Sequence, residues 1–342
     1  MLVVTTFRAA QVSSPGGGFE VVERNLTEPG RGQVRVIVDA CGICHSDAAI
    51  VGGVFPGTRF PVVTGHEVAG RIDAVGEDVE GWAVGERVGV GWAGGYCGRC
   101  DACRDGDFIS CAYLQIPGLA YPGGFAEFMT VPVSGLARIP DGLAAEQAAP
   151  LMCAGVTTFN GLRRANAQAG SLVAVLGIGG LGHLGVQFSH KLGFETVAIA
   201  RGAEKASFAR ELGADHYIDS TEQDVAKQLQ ALGGASVVLA TAANADAMGA
   251  AVDGLRPHGR LVVLGATAER IPLTPLQLLQ QSRSVAGHPS GTAKDSEDTL
   301  AFAQRTGIRS MIETAPLVEV GAAVKRMLDG HARFRMVLRM AS

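Results

Sequence analysis

Residues 172–182 read Leu-Val-Ala-Val-Leu-Gly177-Ile-Gly179-Gly180-Leu181-Gly182, and this stretch narrows the fold further than any other. Leu172–Leu176 is a continuous apolar run, as a strand covered on both faces requires. The glycine cluster follows at once, and Leu181 to Leu192 then reads as a helix. This is the G-x-G-x-x-G pattern between a strand and a helix. Gly177 makes the tight turn, Gly179 lets a pyrophosphate approach the backbone, and Gly182 lets helix and strand pack closely. A helix N-terminus there offers N–H groups and a positive dipole end to phosphate. A glycine-rich turn without a ligand is the competing reading, and the order strand, motif, helix, second strand weighs against it. Thr196–Ala200 reads as that second strand and Ala203 to Leu212 as a second helix, with further strands at Ser236–Ala240 and Arg260–Leu264. Alternation of this kind predicts βαβ units and a parallel sheet.

The end of the second strand selects the dinucleotide. An NAD site places Asp or Glu there, about 20 residues past the motif, to hold the ribose 2′-hydroxyl. This chain has Ala200-Arg201-Gly-Ala-Glu204-Lys205. Cations at Arg201 and Lys205 attract a 2′-phosphate, so NADP is favoured over NAD. Glu204 argues the other way, and a merely solvated Arg201 is the bland reading.

Before residue 150 the texture differs. Gly32–Ala40, Val68–Val75, Glu86–Val90 and Ala126–Pro132 are short strand-like runs separated by Gly or Pro turns, the pattern of a small barrel or sandwich with long loops. Within it, four of the seven cysteines, Cys97, Cys100, Cys103 and Cys111, fall in fifteen residues. Thiolates on one loop suit tetrahedral zinc. Disulfides and an iron–sulfur cluster are the alternatives. The odd cysteine number and the close spacing argue against the disulfides. Helices are expected at Ala144–Leu151, Thr157–Ala165, Ser296–Arg305 and Val318–Leu328, and a last strand at Phe334–Arg339.

Composition excludes several classes. The 342 residues are 47% apolar and 18% charged with a net charge of −4, a globular profile of about two domains. No basic stripe predicts nucleic-acid binding, and no apolar run approaches the roughly 20 residues of a membrane span. The N-terminal residues lack a basic segment followed by an apolar one. A reducing cytoplasm, where thiols stay free for metal, is the expected location.

Cys41, Cys44 and Cys153 remain. Cys41-Gly-Ile-Cys44 alone would also suit a redox pair. Thr64-Gly-His66-Glu67 and Ala149-Pro-Leu-Met-Cys153 add a histidine and a third thiol, so Cys44, His66 and Cys153 make a Cys2His set with an open fourth position, the pattern of a catalytic zinc. With Cys41-Gly-Ile-Cys-His-Ser-Asp47, Gly65-His-Glu67, the four-cysteine loop, Cys153-Ala-Gly-Val-Thr157 and the glycine motif together, essentially the whole chain resembles the zinc-dependent alcohol dehydrogenases of the medium-chain dehydrogenase/reductase family.

The resemblance implies a fold class: a GroES-like β-rich catalytic domain in two segments, 1–152 and 285–342, around a Rossmann domain, 153–284. It implies two zinc ions per chain, a catalytic one on Cys44, His66 and Cys153 and a structural one on Cys97, Cys100, Cys103 and Cys111. Cys41 is left as a buried small residue. Glu67 matches a carboxylate beside the metal, and Asp47 an acid that orients the ligand histidine. Ser46 matches the hydroxyl that takes the substrate proton. His45, Thr157 and Arg335 match cofactor contacts, at the phosphates, the nicotinamide and the pyrophosphate. The implied reaction moves hydride between a primary alcohol or aldehyde and the cofactor; a polyol dehydrogenase and a nucleotide-binding sensor are the alternatives. A homodimer or homotetramer is implied as well. One departure stands out. Many members carry His five residues after the first catalytic cysteine, whereas this chain has Ala49, so the proton is expected to leave through the cofactor ribose and water. Trp92 and Tyr121 are candidate substrate-pocket residues, with core packing as the plainer reading. His288 is a further residue of interest near the domain return.

Overall fold

The computed structural model describes residues 5–340. They form two compact units. One holds the chain up to Val156, Ser290–Arg305 and the chain from Arg309; the other holds Thr157–Pro289 and Thr306–Ile308.

The first unit is built on strands. β1 (Thr6–Val12) and β2 (Phe19–Asn25) form an antiparallel hairpin. β3 (Gln33–Gly42), β4 (Val68–Val75), β5 (Arg87–Val90), β6 (Phe128–Pro132) and β7 (Leu136–Arg138) belong to one larger sheet. Val34, Val36, Val38 and Ala40 are buried from one end of β3 to the other, the alternation that drives a strand to cover a core. Long loops join β3 to β4 and follow β5; the first carries Cys44 and His66, and the second carries Cys97, Cys100, Cys103 and Cys111.

The second unit is the doubly wound sheet. β8 (Leu172–Leu176), β9 (Glu195–Ala200), β10 (His216–Asp219), β11 (Ala235–Ala240), β12 (Leu255–Val263) and β13 (Ser284–Gly287) run in the order β10-β9-β8-β11-β12-β13. Every pairing is parallel. All residues of β8 and β11 are buried, as helices on both faces demand. The order reverses between β8 and β11, and at such a switch point ligands sit beyond the carboxyl ends of the strands.

The chain then returns to the first unit. β14 (Ile312–Pro316) pairs in parallel with β15 (Arg335–Arg339), and β15 pairs antiparallel with β3. The seven-stranded sheet reads β14-β15-β3-β4-β5-β7, with β6 also on β3. Among the described residues no helix is long and apolar enough to cross a membrane.

Three expected helices are modified, and one of them, Val318–Leu328, opens as the 3-10 turn Leu317–Glu319 before the α-helix Val320–Leu328. Ala144–Leu151 is an α-helix only over Ala145–Ala148 and continues as a 3-10 turn over Ala149–Met152, because Pro150 has no N–H to donate. Ala203–Leu212 opens as a 3-10 turn, Ala203–Lys205, before the α-helix Ala206–Glu211.

Candidate metal centres and dinucleotide loop

Strand register assembles the first centre. Cys41 pairs with Val68 across β3 and β4, so the residues just past β3 face those just before β4, and the Gly42 N–H donates to the Glu67 carbonyl at 2.9 Å. Cys44 and His66 are thereby neighbours. Cys153 arrives from a third direction, at the end of the 3-10 turn. Gly89 and Gly91 make room for it: a Cβ on either would run into Met152. Donor atoms of Cys44, His66, Glu67 and Cys153 lie within 4.8 Å of one another.

Asp47 organises this cluster from the helix His45–Val51. Its fully buried carboxylate accepts from the Cys44 N–H at 2.8 Å, the Thr64 hydroxyl at 2.7 Å and the Gly65 N–H at 3.0 Å, and lies 3.1 Å from His66 Nδ1. One carboxylate therefore ties the Cys44 and His66 segments together. It also directs Nδ1 to itself and leaves Nε2 for the cluster. That Nε2 is buried with no hydrogen-bond partner. A buried, unpartnered nitrogen costs about 1–3 kcal/mol, and beside two thiols it is the donor atom a metal would engage. Zinc fits this Cys2His set with one position to spare.

The ionisation of the cluster is uneven. The hydrogen bond from Cys153 does most to lower the Cys44 thiol well below its usual range; burial opposes this, and His66 and Arg335 add to it. Cys153 is correspondingly raised by its hydrogen bond to Cys44 and by burial. Burial disfavours the charged form of His66, yet Asp47 and Cys44 outweigh it and raise the histidine.

Glu67 sits behind the thiols. Burial pushes it up to about 7, against the pull of Arg335 and with the help of Cys44. Arg335, at the start of β15, donates to Glu67 Oε1, and the two side chains are almost wholly buried. Glu67 Oε2 and Arg335 Nε have no partner. Gly42 permits this arrangement, because a Cβ there would overlap Oε2. Sequence reasoning passed over Gly42, Thr64 and Gly65, although Cys41-Gly-Ile-Cys and Thr-Gly-His-Glu carry them. Gly65 has φ +107° and no space for a side chain beside Phe125 and Cys41.

The other expected residues fall as follows. Ser46 Oγ lies 3.7 Å from Cys44 Sγ. His45 is exposed at the first turn of its helix. Thr157 is buried in the helix Ala154–Arg163. Cys41 is fully buried. The Trp92 ring meets the His66 ring edge-on at 5.0 Å, and Phe55 packs 5.8 Å from Trp92. The Tyr121 hydroxyl donates to the Gly94 carbonyl at 2.6 Å, which ties it to the loop rather than to a ligand.

The second centre is the four-cysteine loop. Cys97, Cys100, Cys103 and Cys111 also converge within 4.8 Å. Cys111 Sγ is 3.6 Å from Cys97 Sγ and 3.9 Å from Cys100 Sγ. A disulfide requires about 2.05 Å, whereas tetrahedral zinc with Zn–S near 2.3 Å separates its sulfurs by about 3.8 Å. Backbone N–H groups of Arg99 and Cys100 point at Cys97 Sγ, and those of Cys97 and Tyr113 at Cys111 Sγ. The Arg99 N–H is the chief reason that Cys97 falls to about 6. Such donors stabilise thiolates, the form that binds metal. All seven cysteines are unpaired.

In the second unit the glycine loop lies at the carboxyl end of β8. Gly177 has φ +98° and packs on Ala242, and a Cβ on Gly182 would strike the Gly177 carbonyl. The Thr241 hydroxyl reaches the carbonyls of Leu176 and Gly177. Gly179 is exposed with open space where its Cβ would be, as a loop that admits a pyrophosphate to its backbone should be. Gly180 and Leu181 complete the turn, and the helix Gly182–Lys191 begins there. Arg201 is exposed just after β9, and Lys205 follows four residues on.

Residues 30–141 match the alcohol dehydrogenase GroES-like domain, and residues 180–305 match the zinc-binding dehydrogenase family. An alcohol dehydrogenase (notN) of Aspergillus sp. strain MF297-2 is 41% identical over 99% of this chain and 100% of its own length. An alcohol dehydrogenase of Geobacillus stearothermophilus is 35% identical over 97% and 99%. Among solved structures, a cinnamyl alcohol dehydrogenase (SbCAD4) of Sorghum bicolor superposes with a TM-score of 0.89 at 29% identity, covering 98% of this chain and 97% of that one. A sheet of GroES-like type with two convergent thiol clusters, together with a six-stranded parallel nucleotide fold, defines a zinc-binding oxidoreductase. The chain belongs to the zinc-dependent medium-chain alcohol dehydrogenases.

Proposed function

We propose that this enzyme transfers hydride between a primary alcohol or aldehyde and NADP(H), using zinc held by Cys44, His66 and Cys153, with a second zinc on Cys97, Cys100, Cys103 and Cys111. The observation that carries the reading is the buried, unpartnered Nε2 of His66 beside the two thiols. When bound, zinc supplies Lewis-acid polarisation of the substrate oxygen and the nicotinamide supplies the hydride-accepting carbon. The residues of the chain do the rest. Asp47 holds His66 in the tautomer with Nε2 free. Ser46, next to Cys44, accepts a hydrogen bond from the substrate hydroxyl and relays the proton, giving up its own toward the cofactor ribose and water. Trp92 and Phe55 form an apolar wall beside His66 that keeps water from that side. Arg335 offsets the charge of Glu67 behind the thiols. Gly177, Gly179 and Gly182 admit the pyrophosphate, and Arg201 attracts the 2′-phosphate. A cinnamyl alcohol dehydrogenase among the similar structures fits a primary-alcohol substrate. The unpaired thiols fit a reducing, cytoplasmic setting.

NAD is the second reading of the cofactor, favoured by the Glu204 carboxylate, which lies against Gly202. Initial rates of benzaldehyde reduction with NADPH and NADH on the zinc-loaded enzyme decide between them. Higher kcat/KM with NADPH is the expected result. A preference for NADH would overturn the 2′-phosphate reading and leave the enzyme class standing. Arg201→Asp is expected to move the NADPH-to-NADH ratio of kcat/KM toward NADH by about ten- to a hundredfold, the value of a charge-assisted contact; an unmoved ratio would mean that Arg201 does not read the 2′-position.

Asp47→Asn is expected to lower the affinity of the first zinc by about 10- to 100-fold, since the support of a ligand histidine is worth that much. Competition with a chromogenic chelator measures it. Unchanged affinity would show that Asp47 does not orient His66.

A further inference from the structure

The turn after β9 is clamped at Gly202, through the N–H of the peptide before its Cα and the carbonyl of the peptide after it. Gly202 N–H donates to Asp219 Oδ1 at 2.9 Å, and the Tyr217 hydroxyl donates to the Gly202 carbonyl at 2.6 Å. Both side chains come from β10, which runs parallel to β9 with Asp219 opposite Ala200. Asp219 is itself held: the Thr221 hydroxyl and N–H donate to the same Oδ1 at 2.7 and 3.0 Å, and the Gln223 side chain accepts its N–H at 3.0 Å. The Thr221 bonds, with the Gly202 bond, keep its carboxyl below the usual range. Lys205 Nζ donates to the Arg201 carbonyl at 2.8 Å. Gly202 has φ +90°, and a Cβ there would overlap the Glu204 carboxylate. The backbone that follows Arg201 is therefore held by three hydrogen bonds while the Arg201 side chain is exposed.

We infer that Tyr217 and Asp219 are positioning residues for cofactor choice: they hold the Gly202 peptide so that Arg201 is presented to the 2′-substituent of the dinucleotide. The inference rests on the proposal that Arg201 reads the 2′-phosphate. Neither residue needs to touch the cofactor. An exposed arginine on a free turn loses side-chain and backbone entropy when it binds phosphate, and a turn already fixed has less to lose. The clamp raises affinity for the 2′-phosphorylated cofactor and leaves hydride transfer alone.

The test is a double-mutant cycle on the zinc-loaded enzyme, with KM and kcat measured for NADPH and NADH separately. Tyr217→Phe removes one hydroxyl without changing charge. It is expected to raise KM for NADPH by about two- to tenfold, the value of one hydrogen bond, with a smaller change for NADH and with kcat at saturating cofactor retained. In an Arg201→Ala background the same substitution is expected to leave the NADPH-to-NADH ratio unmoved. Asp219→Ala should repeat the effect of Tyr217→Phe, and Asp219→Asn, which keeps an Oδ1 acceptor for Gly202, should restore most of it. If Arg201→Ala shifts the ratio but Tyr217→Phe changes both cofactors equally or neither, the positioning role is wrong while the Arg201 reading survives. If Arg201→Ala itself leaves the ratio unchanged, both fall.

Discussion

Cys44→Ser is expected to reduce kcat/KM on the order of a thousandfold or more, equivalent to about 4 kcal/mol of transition-state stabilisation, while the fold and one zinc per chain remain. Of the two thiols in the Cys2His set, Cys44 is the one that loses its proton more easily, because Cys153 hydrogen-bonds to it and His66 and Arg335 bring positive charge nearby, whereas Cys153 is raised. A serine hydroxyl is a much poorer ligand for a borderline-soft cation, and it leaves His66 Nε2 buried with no partner. The four-cysteine loop shares none of these residues, so its metal should stay. Zinc per chain by atomic emission and the near-ultraviolet circular dichroism spectrum, measured with the rate, separate loss of chemistry from loss of fold. Wild-type turnover in the variant would overturn the assignment of Cys44.

The second large effect is on stability. Cys103→Ser is expected to empty the four-cysteine loop and to lower Tm by roughly 10 °C, while zinc at Cys44, His66 and Cys153 is retained in the folded fraction. The loop has little core of its own. Besides its short helical turns and the stacked Tyr96 and Phe108 rings, 4.4 Å apart, it is drawn together by sulfurs that converge to 3.6–3.9 Å. Without an ion, thiolates at that separation repel, and Cys103, which burial and its hydrogen bonds with Cys111 and Cys100 push up to about 12, stays a neutral thiol, whose S–H contacts are much weaker than metal–sulfur bonds would be. Differential scanning calorimetry with parallel zinc analysis checks this. An unchanged Tm in a variant that has lost its second zinc would mean that the loop is held by its backbone alone.

Much of the architecture was legible in the chain. Leu172–Leu176 stands as a strand with the bounds read from its apolar run, and Val68–Val75 likewise. Both signals are local: an unbroken apolar run in one, short spacing between turn residues in the other. The hairpin of β1 and β2 was not read, nor were β10, β13 and β14. Those strands are short or half exposed, and their pairing partners, not their own patterns, hold them extended. The 3-10 turn ahead of Cys153 shows a local rule at work within a helical stretch, with Pro150 ending the α-helix.

The two convergent clusters were legible for a different reason. Thiols and imidazole are rare and chemically specific, so their clustering carries information even across long separations. What surrounds them was not. The four contacts of Asp47 depend on the loop before β4 folding over the helix after β3. The ion pair of Glu67 with Arg335 joins residues 268 positions apart, and only the pairing of β15 with β3 brings it about. The clamp of Tyr217 and Asp219 on Gly202 needs the parallel register of β9 and β10. The sequence by itself determined the two-part class of fold, the thiol and imidazole groups that could converge, and the glycine turn, because periodicity, side-chain chemistry and left-handed backbone are written in the residues themselves. Only the tertiary structure decided which buried groups have partners and which do not, because hydrogen bonds and charges act over a few ångströms, and strand register alone determines which distant residues come that close.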